Sequence, residues 1–190
     1  MTSPNTDSVR NLFLGIPYAE PPVGALRWKA PIKKAPWGAR GRDASRYGPD
    51  CAQLGPAWPS LGPLNNSATS LGITSEDCLT LNVFTPRAAA AQAVGQIGRP
   101  ILLPVVVFIP AGAMEWGSAR DAENNGSAIG VGPGWKHTIL VTLNYRLGVM
   151  GFLFSKGLRH QRGPGAGLYG ILDQQLALRW VQNNIENFGG

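Results

Sequence analysis

Residues Ile101 to Phe154 read ILLPVVVFIPAGAMEWGSARDAENNGSAIGVGPGWKHTILVTLNYRLGVMGFLF, and two stretches within them decide the fold. Ile101 to Ile109 is almost wholly apolar and rich in β-branched side chains, and Thr138 to Leu143 repeats the pattern. Short, unbroken apolar runs suit strands buried on both faces of a sheet, so both are expected as central strands. Each is followed by small or turn-forming residues, Pro110-Ala111-Gly112-Ala113 after the first and Asn144-Tyr145-Arg146-Leu147-Gly148 after the second. In open α/β sheets ligands bind outside the carboxyl ends of the strands. These segments are where chemistry is to be sought, although on pattern alone plain turns would account for them.

Toward the amino end, Leu79 to Phe84 alternates like a half-buried strand and is ended by Thr85-Pro86. The alanine-rich stretch Ala88 to Gly98 is a connection of low information. Cys51 and Cys78 enclose 26 residues with turn signals throughout, which reads as a large surface loop. Asn11 to Trp37 is dense in proline and glycine. It is expected to run extended over the core with little helix, anchored by Phe13, Leu14, Ile16, Tyr18, Leu26 and Trp28. Toward the carboxyl end, Tyr169 to Phe188 carries a helical period, with Leu172, Leu176, Ala177, Trp180, Val181, Ile185 and Phe188 on one broad face. Asp173 near its amino end suits the helix dipole, and Gly189-Gly190 supplies a stop. A helix from about Tyr169 to Asn187 is expected. Strand, loop and amphipathic helix make half of a crossover unit that should return to the sheet as another parallel strand.

With 190 residues, 44% of them apolar and 15% charged, the chain has the composition of one globular domain with a real core. The net charge of +6 would permit a nucleic-acid partner if the charge were gathered into a motif. The densest basic stretch, Lys29 to Arg46, is broken by Pro31, Pro36 and Gly38 and matches no such motif, so it reads as a solvated loop face and no nucleic acid is expected. No run approaches the roughly 18 apolar residues of a membrane span. The opening MTSPNTDSVR has neither the basic nor the apolar region of a secretory signal. Two cysteines and two glycosylation sequons, at Asn65 and Asn125, weigh toward an extracellular context, each sequon being weak alone.

Several longer motifs stand in a definite order. They are Phe13-Leu14-Gly15-Ile16-Pro17-Tyr18-Ala19-Glu20-Pro21-Pro22-Val23-Gly24, Arg46-Tyr47-Gly48-Pro49 before Cys51, Ser75-Glu76-Asp77-Cys78-Leu79, Asn144-Tyr145-Arg146-Leu147-Gly148, and Leu172-Asp173-Gln174 with Asn184-Ile185 and Phe188-Gly189-Gly190. Together they resemble the type-B carboxylesterase family of α/β-hydrolases, which includes carboxylesterases, cholinesterases and non-catalytic neuroligin-like proteins. The resemblance runs from about Phe13 to Gly190. It implies the N-terminal part of an α/β-hydrolase fold, a mixed, mostly parallel sheet with flanking helices, cut before the nucleophile elbow. Residues 1–190 would then be a single partial domain, incomplete at the C-terminus and at the N-terminus as well. It also implies a Cys51–Cys78 disulfide, which by chain entropy would contribute about 3.6 kcal/mol, and a secreted or ER-lumenal parent. Arg27 and Glu76 fall where the family has a structural ion pair, a fitting use of an arginine fork.

Catalysis in the family uses a serine on a G-x-S-x-G elbow, a histidine base, an acid that orients it and backbone N–H donors for the oxyanion. None of the ten serines has glycine two residues before and two after, Ser127 being the nearest imitation. His137 and His160 have no candidate nucleophile nearby in sequence and read as solvated or capping residues. No catalytic residue, metal or cofactor is therefore assigned within this chain. The oxyanion loop, His-Gly-Gly-Gly in active members, is Pro110-Ala111-Gly112-Ala113 here, which puts the donors at Gly112 and Ala113. Alanine keeps its N–H but reaches left-handed backbone angles only at about 1–2 kcal/mol. Pro110 replaces the family histidine and Met114 an aromatic residue. Ala68 stands where cholinesterases carry a choline-stacking tryptophan, with Trp58 out of register, so a neutral carboxylic ester is the expected substrate. The expectation is an N-terminal fragment of a carboxylic-ester hydrolase that is inactive by itself, with self-association through an unpaired sheet edge. The alternative is a non-catalytic adhesion or binding module.

Overall fold

A computed structural model describes residues 10–38, 41–53, 74–86, 102–121, 137–162 and 165–190. Its centre is a four-stranded mixed sheet in the order β1-β4-β6-β5, built from Arg10–Pro17 (β1), Thr80–Pro86 (β4), Val105–Phe108 (β5) and Ile139–Leu143 (β6). β1 and β4 are antiparallel, as are β4 and β6, whereas β5 runs parallel to β6 with Val105 opposite Ile139. A small parallel pair, Asp50–Cys51 (β2) with Thr74–Ser75 (β3), lies apart from this sheet. Among the described residues three α-helices follow β6: Gly148–Phe152 (α1), Lys156–Arg162 (α2) and Tyr169–Asn184 (α3).

The apolar runs behave unequally. All five residues of β6 are buried, as expected for a central strand. All seven residues of β4 are buried too, which corrects the expectation of a half-buried strand. β4 lies between β1 and β6, and its polar side chains are satisfied inside: Asn82 Nδ2 donates to Thr142 Oγ1 at 2.9 Å, and Asn82 Oδ1 accepts the Gly15 N–H at 2.9 Å. β5 is shorter and more exposed than its sequence suggests, with Val106 36% exposed. Pro104 has no N–H for a ladder, and among the described residues no strand pairs with the far side of β5.

The segment after Asn11 is a strand where it was expected only to run extended. Phe13 pairs with Val83 and Ile16 with Leu81, so two residues of β1 are spanned by one of β4. Gly15 makes that bulge possible: its φ is 62°, and a Cβ there would lie 2.5 Å from the Arg46 carbonyl. Of the expected anchors, Leu14 and Ile16 within the strand and Tyr18 just after it are buried, whereas Phe13, Leu26 and Trp28 remain half-buried.

α3 packs a stripe of Tyr169, Asp173, Ala177 and Val181 inward, spaced by four residues. Leu176, Trp180 and Phe188 pack at the margin, and Phe188 meets Phe13 edge-on at 5.0 Å. The α-helix ends at Asn184 and tightens into a 3-10 turn over Ile185–Phe188. Gly189, at φ 90°, closes it, with the Gly190 N–H donating to the Ile185 carbonyl at 3.1 Å. The polar stretch from Lys156 is helical as well. Ser155 caps it, its Oγ accepting the Leu158 N–H at 3.1 Å.

Candidate functional site

Parallel pairing puts the carboxyl ends of β5 and β6 on the same edge of the sheet, so the loops that leave them meet. The Gly148 N–H donates to the Met114 carbonyl at 2.7 Å, and the Tyr145 hydroxyl donates to the Pro110 carbonyl at 3.3 Å. Within the first loop the Glu115 and Trp116 N–H groups both turn back to the Gly112 carbonyl, at 2.9 and 3.2 Å. Gly112 has φ 134°, and a Cβ on it would lie 1.9 Å from the Trp116 carbonyl oxygen. Ala113 and Met114 follow at φ 53° and 65°, so the alanine takes up the left-handed conformation its side chain disfavours. Gly112 is half-buried and Ala113 exposed, and among the described residues neither N–H has a hydrogen-bond partner. Two adjacent backbone donors are thus left open to an acceptor.

The loop's far end is held by polar groups, and the parts played there by Asp50 and Ser118 were not read from the sequence. Ser118 is buried; its Oγ donates to Asp50 Oδ1, and its N–H donates to Asp121 Oδ2 at 2.7 Å. Asp50 also pairs with Arg120 at 2.9 Å. Asn144 accepts the Ala119 N–H at 2.8 Å and donates to the Pro49 carbonyl at 3.0 Å. Its own carbonyl receives the Tyr18 hydroxyl at 2.6 Å, and burial pushes that phenol well above its ordinary range, so it stays a donor. Ser118 followed by Asp121 is a legible turn signal, but its link to Asp50 spans 68 positions and leaves no local trace.

Cys51 and Cys78 are joined by a disulfide. Beside it, Arg27 grips Glu76 with two bonds, Nε to Oε2 at 2.6 Å and Nη2 to Oε1 at 2.5 Å. Both side chains are partly exposed, and the carboxylate holds the Arg27 guanidinium above its ordinary value. Trp28, at φ 52°, donates its indole N–H to the Val149 carbonyl at 3.0 Å, which ties this corner to α1. His137 and His160 are exposed, and among the described residues neither shares a hydrogen bond with a serine. Asn65, Asn125, Ser127, Trp58 and Ala68 lie outside the described residues. Among the described residues no cluster of three or more His, Cys, Asp or Glu could hold a metal, and no helix is long and apolar enough to cross a membrane.

The comparisons agree with this geometry. The chain is 41% identical over 179 residues to a fumonisin B1 esterase of Sphingopyxis macrogoltabida, covering 94% of this chain and 29% of that protein. It is 40% identical over 185 residues to carboxylesterase 3 of Homo sapiens, covering 97% and 29%. Among solved structures, Aspergillus niger EstA superposes with a TM-score of 0.72 at 36% identity, over 97% of this chain and 31% of that one. A PNB esterase gives 0.73 at 38%, over 100% and 33%. The chain thus spans about a third or less of the proteins it matches, and what it shares with them is the α/β-hydrolase fold. The family described as "Carboxylesterase family" matches residues 1–190, and the chain belongs to it.

Proposed function

We propose that this chain supplies the oxyanion-loop portion of a carboxylic-ester hydrolase whose whole protein acts by serine acyl-enzyme chemistry on neutral esters. The observation that carries the reading is the pair of open N–H groups at Gly112 and Ala113, set where two parallel strands end. Donors so placed stabilise the charge that develops on a carbonyl oxygen as a tetrahedral intermediate forms. One such donor lowers the barrier by about 2.7–4 kcal/mol. The nucleophile, base and acid lie outside these residues in this reading, and no cofactor takes part. A non-catalytic binding module would be favoured by a collapsed loop. Ala113 instead sits at φ 53° with its N–H retained, which favours the hydrolase. Among the described residues no strand pairs with the outer edge of β5, which supports self-association with a second copy, since unpaired strand edges template pairing.

The test is to read the codons beyond Gly190 for a G-x-S-x-G elbow and to treat the whole protein with a serine-directed phosphonate. An intact elbow with stoichiometric labelling is expected. A replaced serine and no labelling would overturn the hydrolase in favour of the binder.

A further inference from the structure

We propose that Gln53 is a positioning residue for the oxyanion loop, and that through it the loop is coupled to the Cys51–Cys78 bridge. The functional meaning of this rests on the hydrolase reading, but the physical claim does not. Gln53 Oε1 accepts the Gly117 N–H at 2.8 Å, and Gln53 Nε2 donates to the Gly117 carbonyl at 3.1 Å and to the Cys51 carbonyl at 3.1 Å. One carboxamide therefore takes both main-chain groups of Gly117 and binds them to the disulfide residue. A reversed carboxamide would set NH2 against N–H and oxygen against two carbonyls, so the partners fix its orientation.

Gly117 is the point from which the loop can be controlled. Its φ is 120°, and a Cβ there would lie 2.5 Å from the Ala111 carbonyl oxygen, so the end of the loop packs on its beginning. Gly112 in turn packs against the Trp116 carbonyl. Holding Gly117 thus holds the frame within which Gly112 and Ala113 present their N–H groups. Asp50, adjacent to Cys51 in β2, takes Ser118 Oγ one residue further on. Two successive loop residues are gripped by side chains that flank one half of the disulfide. A serine or alanine at 53 would be too short, and a leucine of similar size would leave three polar groups unpaired.

Amide hydrogen exchange on the full 190-residue chain, followed by NMR, tests this without any catalytic assay, so its failure would be separable from failure of the hydrolase reading. Gln53→Ala is expected to speed exchange at Glu115, Trp116 and Gly117 about tenfold or more, with Val83 and Val141 within twofold of the parent chain. Reduction of Cys51–Cys78 should move the same three amides in the same direction. Gln53→Glu supplies a readout that simple packing would not move. Protonated, it accepts the Gly117 N–H and has one O–H for a carbonyl. Ionised, it still accepts that N–H but sets a negative oxygen against the Gly117 and Cys51 carbonyls, so protection of Glu115 and Trp116 should be higher below about pH 4.3 than above it. The proposal is overturned if Gln53→Ala leaves the three amides unchanged, if Val83 and Val141 accelerate in parallel with them, or if the Gln53→Glu protection is flat across that pH range.

Discussion

Arg146 and Asp173 are locked together inside the protein by three bonds: Nε to Oδ2 at 2.8 Å, Nη2 to Oδ1 at 2.7 Å, and the Arg146 N–H to Oδ2 at 3.1 Å. The arginine is 3% exposed and the aspartate 0%, so the pair joins the loop after β6 to the inward face of α3. Burial pushes the Asp173 carboxyl up, while the guanidinium and the N–H pull it back. Asp173→Ala leaves a buried cation unpaired and should destabilise the chain by about 3–5 kcal/mol. The double change Arg146→Met with Asp173→Leu should be milder than Asp173→Ala. Urea denaturation of the three proteins checks this. A single-variant loss under about 1 kcal/mol would mean that water relieves the charge.

The disulfide carries a second prediction. Chain folded in an oxidising compartment should show no free thiol under denaturing conditions, because Cys51 and Cys78 are the only cysteines and they are joined. Reducing them should lower stability by about 3.6 kcal/mol by loop entropy. Two titratable thiols in such material would contradict the bridge.

Adjacent loop positions should respond oppositely to a methyl group. Ala113 sits at φ 53°, so Ala113→Gly should relieve about 1–2 kcal/mol of strain, partly offset by a looser unfolded chain. Gly112→Ala, whose Cβ would meet the Trp116 carbonyl oxygen at 1.9 Å, should destabilise the chain. Paired thermal melts read the two signs. An Ala113→Gly variant less stable than its parent would show that the left-handed angle carries no strain there.

These residues also mark where the sequence could be read and where it could not. The run from Thr138 to Leu143 announced a buried strand because β-branched residues packed on both faces leave an unbroken apolar text. The Val105 to Val107 run carries the same text, yet Val106 is 36% exposed, since composition does not report what lies beside a strand. Asp173 looked like a dipole partner, although its spacing to Ala177 and Val181 placed it on the buried stripe, a sign that it had an internal partner. Gly112 and Ala113 were located by family order, but their angles and open N–H groups come from bonds made elsewhere. Gln53 left no signal at all, because its contacts with Gly117 are 64 positions away.

Acid should also act at the surface. Glu20 accepts from Lys34 Nζ at 2.6 Å and from the Ala35 N–H at 3.2 Å, and the Lys34 bond above all holds its carboxyl below the ordinary 4.5. A carboxyl lowered in the folded state contributes stability that is present above its unfolded value and lost as pH falls through the folded one. Stability should therefore decline with acid below that ordinary value, and Glu20→Gln should flatten part of the decline. The effect is small, because the pair is solvated. Denaturation midpoints of both chains across the acid range measure it, and identical slopes would assign the decline to other carboxylates.

The last prediction is that these 190 residues by themselves turn over no ester at an enzymatic rate. Acyl transfer needs a hydroxyl whose base lies within about 2.6–3.2 Å and is itself oriented by a third group. Ser118 is the buried serine nearest the loop in sequence, and its hydroxyl is committed to Asp50, which is in turn paired with Arg120. Both oxygens of that carboxylate are occupied, Oδ1 by the Ser118 hydroxyl and Oδ2 by Arg120, so the contact is a structural tie and supplies no histidine base to the serine. Among the described residues the two histidines stand exposed without a serine partner. An oxyanion loop without its triad leaves only about 10³–10⁴-fold over water. Purified chain should therefore show no burst and no phosphonate-sensitive turnover of p-nitrophenyl butyrate, and Ser118→Ala should change stability but not rate. Robust turnover that a serine-directed phosphonate abolishes, and that Ser118→Ala or Ser127→Ala removes, would reveal a nucleophile of a kind that the family does not use.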